Sequence, residues 1–434
     1  MVLRYLILSF FIFFSLFSQE IDDRFVLSGG TAHIGNGEII ENSTIIIDKG
    51  KIVAIGPSSS VIINKKRAKV FDVTGKNIYP SLILPNTTLG LVEIDAVRAT
   101  RDHREVGQLN PNVRSQPAYN AESIVVSTVR TNGILLAQVT PRGGLISGTS
   151  SIMALDGWNW EDATYLEDDG MHINWPEDYH KNYWGHSHNF TSGSEEDHDE
   201  ERDEILNYID SLSQLFSEAQ QYHLLPNPKP DLKLESFKKL LDGKQTLYIH
   251  VNSVVGIKES ILFAKHNNIE KIVLVGASEA WRITDFILKH DIPIILGRVH
   301  SLPTRTDDDI NQAYKTPKIL HDAGITFCLD YQGDMERMGS RNLPFLAGTT
   351  VAYGLSKEEA LKLITLNPAK ILGISDRTGT LEVGKDANLF VSNGDVLNIL
   401  TNNVELIFLK GKQVSIQNHQ TELYQKYLSK YNLK

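Results

Sequence analysis

The stretch NIYPSLILPNTTLGL, residues 77–91, joins two kinds of chain. Up to Tyr79 it ends a series of short β-branched runs. From Leu82 to Leu84 it is an apolar strand that breaks at Pro85, because proline has no N–H to give to a ladder. Three small polar residues, Asn86, Thr87 and Thr88, follow before the chain turns apolar again at Leu89. Alternate side chains of a strand point the same way, so Asn86 and Thr88 share one face at the strand's end. What those two residues do decides the functional reading.

Upstream, FVLSGGTAHIGNG (25–37), STIIIDKGKIVAIG (43–56) and AKVFDVTG (68–75) read as strands separated by Gly, Asn and Lys-Gly turns. The same character returns in GTLEVGKDANLFVSNG (379–394) and VELIFLKGKQV (404–414). Two β-rich ends enclosing everything else imply one composite β-sandwich domain, residues 19–79 with 379–416.

Between them, residues 80–378 alternate. GILLAQVT (133–140), QTLYIHVNS (245–253), KIVLVGAS (271–278), IPIILGRVHS (292–301) and ITFCLDYQGD (325–334) are short apolar strands. Helix-like segments such as GIKESILFAKHNNI (256–269), EAWRITDFILKHD (279–291) and INQAYKTPKILHDAG (310–324) separate most of them. Alternation of this kind predicts parallel β/α units whose strand ends line one shared mouth. An open doubly wound sheet gives the same alternation, but no glycine-rich dinucleotide loop and no P-loop lysine pattern stands at a strand-to-helix turn. Residues 417–434 are left as a C-terminal tail.

VFDVTGKNIYPSLIL (70–84) together with LITLNPAKILGISDRTGTLEVGKDANLFV (363–391) resembles the amidohydrolase superfamily, in the branch of the imidazolonepropionases. The later block carries Asn367-Pro368-Ala369, Gly379 to Glu382 and Gly384-Lys385-Asp386-Ala387 in family order, and the likeness spans nearly the whole chain. The resemblance implies an α/β fold, a (β/α)8 TIM-like barrel capped by the composite β-domain. It also implies metal-assisted hydrolysis of a carbon–nitrogen bond in a cyclic amide or related group. In such proteins the first barrel strand ends in a His-x-His pair that grips one ion. Here Asn86 and Thr88 stand at those positions, and an amide oxygen and a hydroxyl are weak donors beside imidazole. They are carried instead as substrate-binding candidates.

Of the remaining ligand positions the resemblance matches His250 to the fifth-strand histidine and Asp330 to the eighth-strand aspartate, which binds metal and moves a proton. A satisfied structural histidine and a structural carboxylate are the competing readings, and Asp334 is the substitute if the register differs. Gly276 and Ala277 occupy the place of the sixth-strand histidine. His250 and Asp330 are thus the catalytic candidates and an incomplete metal set, holding one zinc-like divalent ion weakly or none. Catalytic zinc normally keeps three protein ligands.

Other residues are candidates for rebuilding the site or binding substrate. His186 and His188 form a His-x-His within NYWGHSHNFTSG (182–193), in a polar insertion rather than at a strand end. Arg298 and His300 end the seventh strand, and Arg305 follows in its loop; two arginines there suit a carboxylate or phosphate, or an ion pair with the acidic insertion. Glu93, Arg98 and Arg101 follow the first strand. TPRGGLISGTSSIMALDGWNW (140–160) reads as a backbone-lined pocket wall or a long connecting loop.

Composition sets the outer bounds. Residues 1–18 carry Arg4 and then an apolar run too short to span a bilayer, the shape of a secretory signal, so the chain is expected to be exported, periplasmic or secreted, without a membrane span after cleavage. With a formal net charge of -10, it is not expected to bind nucleic acid; a small-molecule ligand is, with a second copy or a partner subunit as further candidates. Much of the acidity lies in GSEEDHDEERDE (193–204), within an insertion at about 180–204, read as a solvated mobile loop with calcium binding as the minor alternative. The single cysteine, Cys328, excludes an intrachain disulfide and reads as core. Two function classes compete: a hydrolase with an altered centre, and a non-catalytic barrel that binds a polar ligand or a partner.

Overall fold

The computed structural model describes residues 24–62, 68–177, 195–333 and 335–433. The N-terminal strands are β1 (Phe25–His33), β2 (Ile39–Asp48), β3 (Lys51–Pro57), β4 (Lys69–Asp72) and β5 (Asn77–Pro80). The barrel strands are β6 (Leu82–Thr87), β7 (Ile134–Val139), β8 (Ile146–Ala154), β9 (Thr164–Asn174), β10 (Thr246–Val251), β11 (Ile272–Gly276), β12 (Ile294–Leu296) and β13 (Phe327–Leu329). The chain then returns through β14 (Leu389–Ser392), β15 (Val404–Leu409) and β16 (Lys412–Val414).

Strands from both ends of the chain pair in one sheet, with β14 antiparallel to β5 in the register Leu389–Pro80 to Ser392–Asn77. Hydrogen bonds link its strands into a single eight-stranded sheet, ordered β16-β15-β14-β5-β1-β2-β3 with β4 branching from β1, rather than the two sheets of a sandwich. The branch arises at Gly29 and Gly30, where the β1–β2 register shifts and β1 passes from β4 to β5. The sheet curls over its own apolar cluster of Leu27, Ile45, Ile47, Leu389 and Phe408.

The barrel sheet runs β6 to β13 in chain order. It is nearly closed: Leu363 and Ile364 fill the seam, their carbonyls accepting from the amides of Leu329 at 3.1 Å and Ile83 at 2.9 Å. All its strands run one way except β8, which is antiparallel to both β7 and β9. The expectation of eight parallel βα units is corrected here. Thr140 to Leu145 is too short for a parallel crossover, which needs about a dozen residues, so the chain must reverse. The stretch 140–160 is therefore a fully buried strand and its two turns, not a loop.

Helices cover the outside. The helix Val254–His266 is capped by Ser253, whose Oγ accepts from the Gly256 amide at 3.0 Å, and buries Ile257, Ile261 and Ala264. Each such fully buried branched side chain contributes roughly 1.5–3 kcal/mol. Cys328 is buried in this core, as expected.

Two segments read as irregular are helical. The acidic run from Glu195 onward opens the helix Glu195–Leu224. In the C-terminal tail, His419–Tyr431 is a helix opened by a capping box of Asn418 and Thr421. Residues 1–18, most of the polar insertion with His186 and His188, and Asp334 lie outside the described residues.

Candidate functional site

The end of β6 is bent inward. Pro85 interrupts the ladder, the β6–β7 register shifts between Leu84 and Thr87, and Asn86 takes φ 48, a left-handed conformation that asparagine tolerates. Its amide Nδ2 donates to Oδ2 of Asp330 at 2.7 Å, joining the first barrel strand to the last. Its Oδ1 and its backbone carbonyl both accept from the guanidinium of Arg142, each at 2.7 Å. Thr87 and Thr88 hold a second carboxylate. The Thr88 amide donates to Oε1 of Glu336 at 2.7 Å, its hydroxyl donates to the same oxygen, and the Thr87 hydroxyl donates to Oε2 at 3.0 Å. Asn86, Thr88 and Asp330 are all buried.

Asp330 sits just past β13, its Oδ1 buried with no hydrogen-bond partner. Burial, with the negative charge of Glu336 nearby, pushes its carboxyl up to about 8 against the Asn86 hydrogen bond and the Arg142 charge. At neutral pH it is largely protonated.

A second polar chain fills the barrel interior. Gln138 on β7 accepts from the Asn86 amide at 3.1 Å and donates to Oδ2 of Asp169 at 2.7 Å. Asp169 also accepts from Ser150 at 2.8 Å and from the Tyr248 hydroxyl at 3.0 Å. Burial nevertheless pushes it up to about 6. Nε2 of His172 lies 2.8 Å from Ser150 Oγ, and its Nδ1 lies 2.9 Å from Nε2 of His250.

With the Ser150 hydroxyl spent on Asp169, the consistent proton order runs from His250 Nε2–H to His172 Nδ1, and from His172 Nε2–H to Ser150. This holds His250 as its Nε2–H tautomer. Burial and the charge of Arg142 push His250 down to about 3, and His172 is pushed well below its ordinary value for the same reasons plus its neighbour. Both rings are neutral at physiological pH.

Arg298 and His300 line a cavity of about 920 Å³ beside the ends of β11, β12 and β13, together with Asn252, Trp281, Gln312 and Gln332. The Arg298 guanidinium lies over the Tyr331 ring, 5.4 Å from its centre, and its Nε is buried without a partner. His300 Nε2 is 2.7 Å from the Thr349 hydroxyl. Arg305 does not join them. Its Nε and Nη2 grip Glu279 at 2.5 and 2.8 Å, so its fork is occupied there. Asn86 and Thr88 likewise line no part of this cavity, because their polar groups are committed to Asp330, Arg142 and Glu336. Glu93 accepts from Asn120 and Ser123 and braces a turn, while Arg98 and Arg101 are exposed.

The residues at the barrel centre do not fit a metal ion. Among the described residues no three His, Cys, Asp or Glu side chains converge within reach of one ion. His250 spends Nε2 on His172, Asp330 accepts from an amide, and the first-strand positions donate to carboxylates. No hydrogen bond joins His250 to Asp330, so the expected pair is not a ligand set here.

Sequence reading missed Arg142, Asp169, His172 and Glu336. The signal for His172 was its place two residues before the end of an almost continuously buried run, GMHIN, on β9. That for Arg142 was the Gly143-Gly144 pair that follows it, a tight turn at the mouth. Asp169 and Glu336 carried none.

Comparison with known proteins supplies the context. A profile of the amidohydrolase family matches residues 183–414. An imidazolonepropionase of Rhizobium rhizogenes is 23% identical over 424 residues, covering 88% of this chain and 95% of that protein. An imidazolonepropionase of Thermoplasma volcanium is 29% identical over 102 residues, 23% of this chain and 25% of that one. Among solved structures, an amidohydrolase from Thermotoga maritima MSB8 superposes with a TM-score of 0.77 at 20% identity, covering 90% of this chain and 99% of that one. Members of this superfamily usually depend on a metal.

Proposed function

From the premise that this chain belongs to the amidohydrolase family, we propose an exported hydrolase of carbon–nitrogen bonds other than peptide bonds, with an altered metal centre. The observation that carries the reading is Asp330, a buried carboxyl at the C-terminal end of the last barrel strand, with one oxygen unpartnered and its titration pushed up to about 8. A group titrating near the working pH is suited to move a proton between an attacking water and a leaving nitrogen. His250, neutral and fixed as one tautomer by His172, orients water or substrate rather than serving as the base. The test is a panel of cyclic amides and ureas with purified wild type, Asp330→Asn and His250→Ala. Activity falls at least about 100-fold in both variants. Unchanged rates would sink the assignment.

One observation favours a second reading, a non-catalytic barrel that binds a small polar ligand or a partner subunit. The open cavity is lined by Arg298 and His300, not by Asp330, which is closed in. Saturable turnover by wild type, lost in Asp330→Asn, defeats that reading.

Export rests on the composition of residues 1–18. Mass spectrometry of the protein from the periplasm or culture medium is expected to give a mature N-terminus near residue 19, and an intact Met1 there would overturn it. Among the described residues no helix is long and apolar enough to cross a membrane. Assembly with a second copy is read from light scattering, a monomer mass counting against it.

A further inference from the structure

The ends of β6 and β13 are joined through Asn86 and Asp330, and a guanidinium sits against that joint. Arg142 comes from the turn after β7, bonded through Nη1 to the Asn86 side chain and through Nη2 to the Asn86 carbonyl. Nη2 is also 4.0 Å from Glu336. Its charge is felt at Asp330, His250, His172 and His103, so this one cation addresses the groups of the first, fifth and last strands together.

The position is built rather than incidental. The Arg142 amide donates to the His103 carbonyl at 2.7 Å. The turn continues through Gly143 and Gly144 at φ +86 and +68. A Cβ on Gly143 would come within 2.6 Å of Arg104, and one on Gly144 within 2.7 Å of the Gln108 carbonyl. Only glycines let this turn press against residues 104–108 and deliver the arginine inward. Asn86, left-handed at φ 48, turns its side-chain oxygen and its carbonyl to the same guanidinium. An extended strand end carrying two imidazoles could not do both.

The donor chemistry points the same way. A metal needs lone pairs aimed at one point. Here the Asn86 side-chain and backbone oxygens meet N–H groups of Arg142, and Asp330 meets an N–H of Asn86 through Oδ2 while its Oδ1 has no partner, so the first-strand lone pairs are turned to a cation already in place. We propose that Arg142 has replaced the divalent ion, making the barrel centre metal-independent, with the guanidinium supplying the fixed positive charge that a substrate carbonyl or oxyanion oxygen would meet. This rests on the family reading of the strand ends and not on hydrolase activity.

The experiment is zinc content by plasma mass spectrometry on the mature chain, purified without chelator or polyhistidine tag and equilibrated with excess zinc before exhaustive dialysis. Wild type retains well under one zinc per chain. A variant combining Arg142→Ala, Asn86→His and Thr88→His retains about one. The variant with only Asn86→His and Thr88→His binds at least about tenfold more weakly, because the guanidinium still repels the ion.

A stoichiometric zinc in wild type that disappears in Asp330→Asn or His250→Ala overturns the proposal, as does equal zinc affinity in the double and triple variants. Zinc that depends only on His186 or His188 leaves the barrel centre free and supports it. Should the triple variant not fold, the wild-type measurement decides alone. A failed substrate screen with zinc-free wild type removes the hydrolase reading and leaves this inference standing.

Discussion

Asn86 bonds Asp330 and Arg142 at once, 2.7 Å from each, and so ties the first and last barrel strands to a cation between them. Asn86 and Asp330 are buried and Arg142 partly so, and removing the Asn86 side chain leaves Asp330 Oδ2 and Arg142 Nη1 without their partner, which costs more than the bonds contributed. Asn86→Ala is expected to lower stability by about 2–4 kcal/mol, read as a fall in unfolding midpoint in urea. A midpoint within error of wild type would show that water replaces the amide without cost.

The titration of Asp330 predicts a slope. Its folded value, about 8, lies above that of an exposed carboxyl, so between about pH 4 and 8 the folded state holds a proton that the unfolded state has released. Stability from this group therefore falls as pH rises through that window. His250 and His172 are pushed down, so their contribution is full above about 6.5 and lost as pH falls below it. The effects oppose each other below about 6.5, and above it Asp330 acts alone. Thermal midpoints of wild type should decline between pH 6.5 and 8, whereas Asp330→Asn should run flat there. Parallel curves would assign the slope elsewhere.

His172→Phe separates packing from orientation. His172 is fully buried and stacked on Tyr248 with ring centres 4.7 Å apart, and a phenyl ring preserves that contact. The variant should fold with native circular dichroism yet lose about 100-fold in kcat, because His250 is no longer held in one tautomer. Full activity would reduce His172 to core filling.

Gly170 tests the close approach of β9 to β10. A Cβ there would stand 2.0 Å from the Tyr248 ring, whose hydroxyl serves Asp169. Gly170→Ala must shift that tyrosine and is expected to cost about 1–3 kcal/mol, with a lowered melting midpoint as the readout. No change would mean that the ring moves freely.

Arg298→Ala addresses the open cavity. A fragment with a carboxylate, titrated and followed by nuclear magnetic resonance, should lose about tenfold or more in affinity while the fold is kept. Arg305→Ala should leave that affinity unchanged, since its guanidinium is held by Glu279. Equal losses would place the anion site differently.

Much of this architecture was readable in the chain. The β-rich ends, the strands β6, β7 and β10 to β13, and the positions of His250 and Asp330 follow from apolar periodicity and family-like spacing. What was hidden has one physical origin. The β7–β9 meander buries serines, glycines, an aspartate and a histidine, so its composition is that of a loop although its burial is that of core. Polar residues at such positions are satisfied only by partners far along the chain, such as His172 with His250 or Thr88 with Glu336. No local pattern encodes those pairs. The antiparallel turn was nonetheless implied by the short distance from Val139 to Ile146.

The pairing of β14 with β5 also bears on the order in which the chain is made. A ribosome completes Pro80 roughly 300 residues before Leu389, so at about 5–20 residues per second the exposed edge of β5 waits roughly 15–60 s for its neighbour. Throughout that interval the nascent β-domain presents an unsatisfied strand edge, the kind of surface that recruits chaperones or sticks to other chains. Completion of that domain thus waits for the last part of the chain to be made, and a chain stopped before residue 379 should be recovered in aggregates or chaperone complexes, where the full-length protein is not.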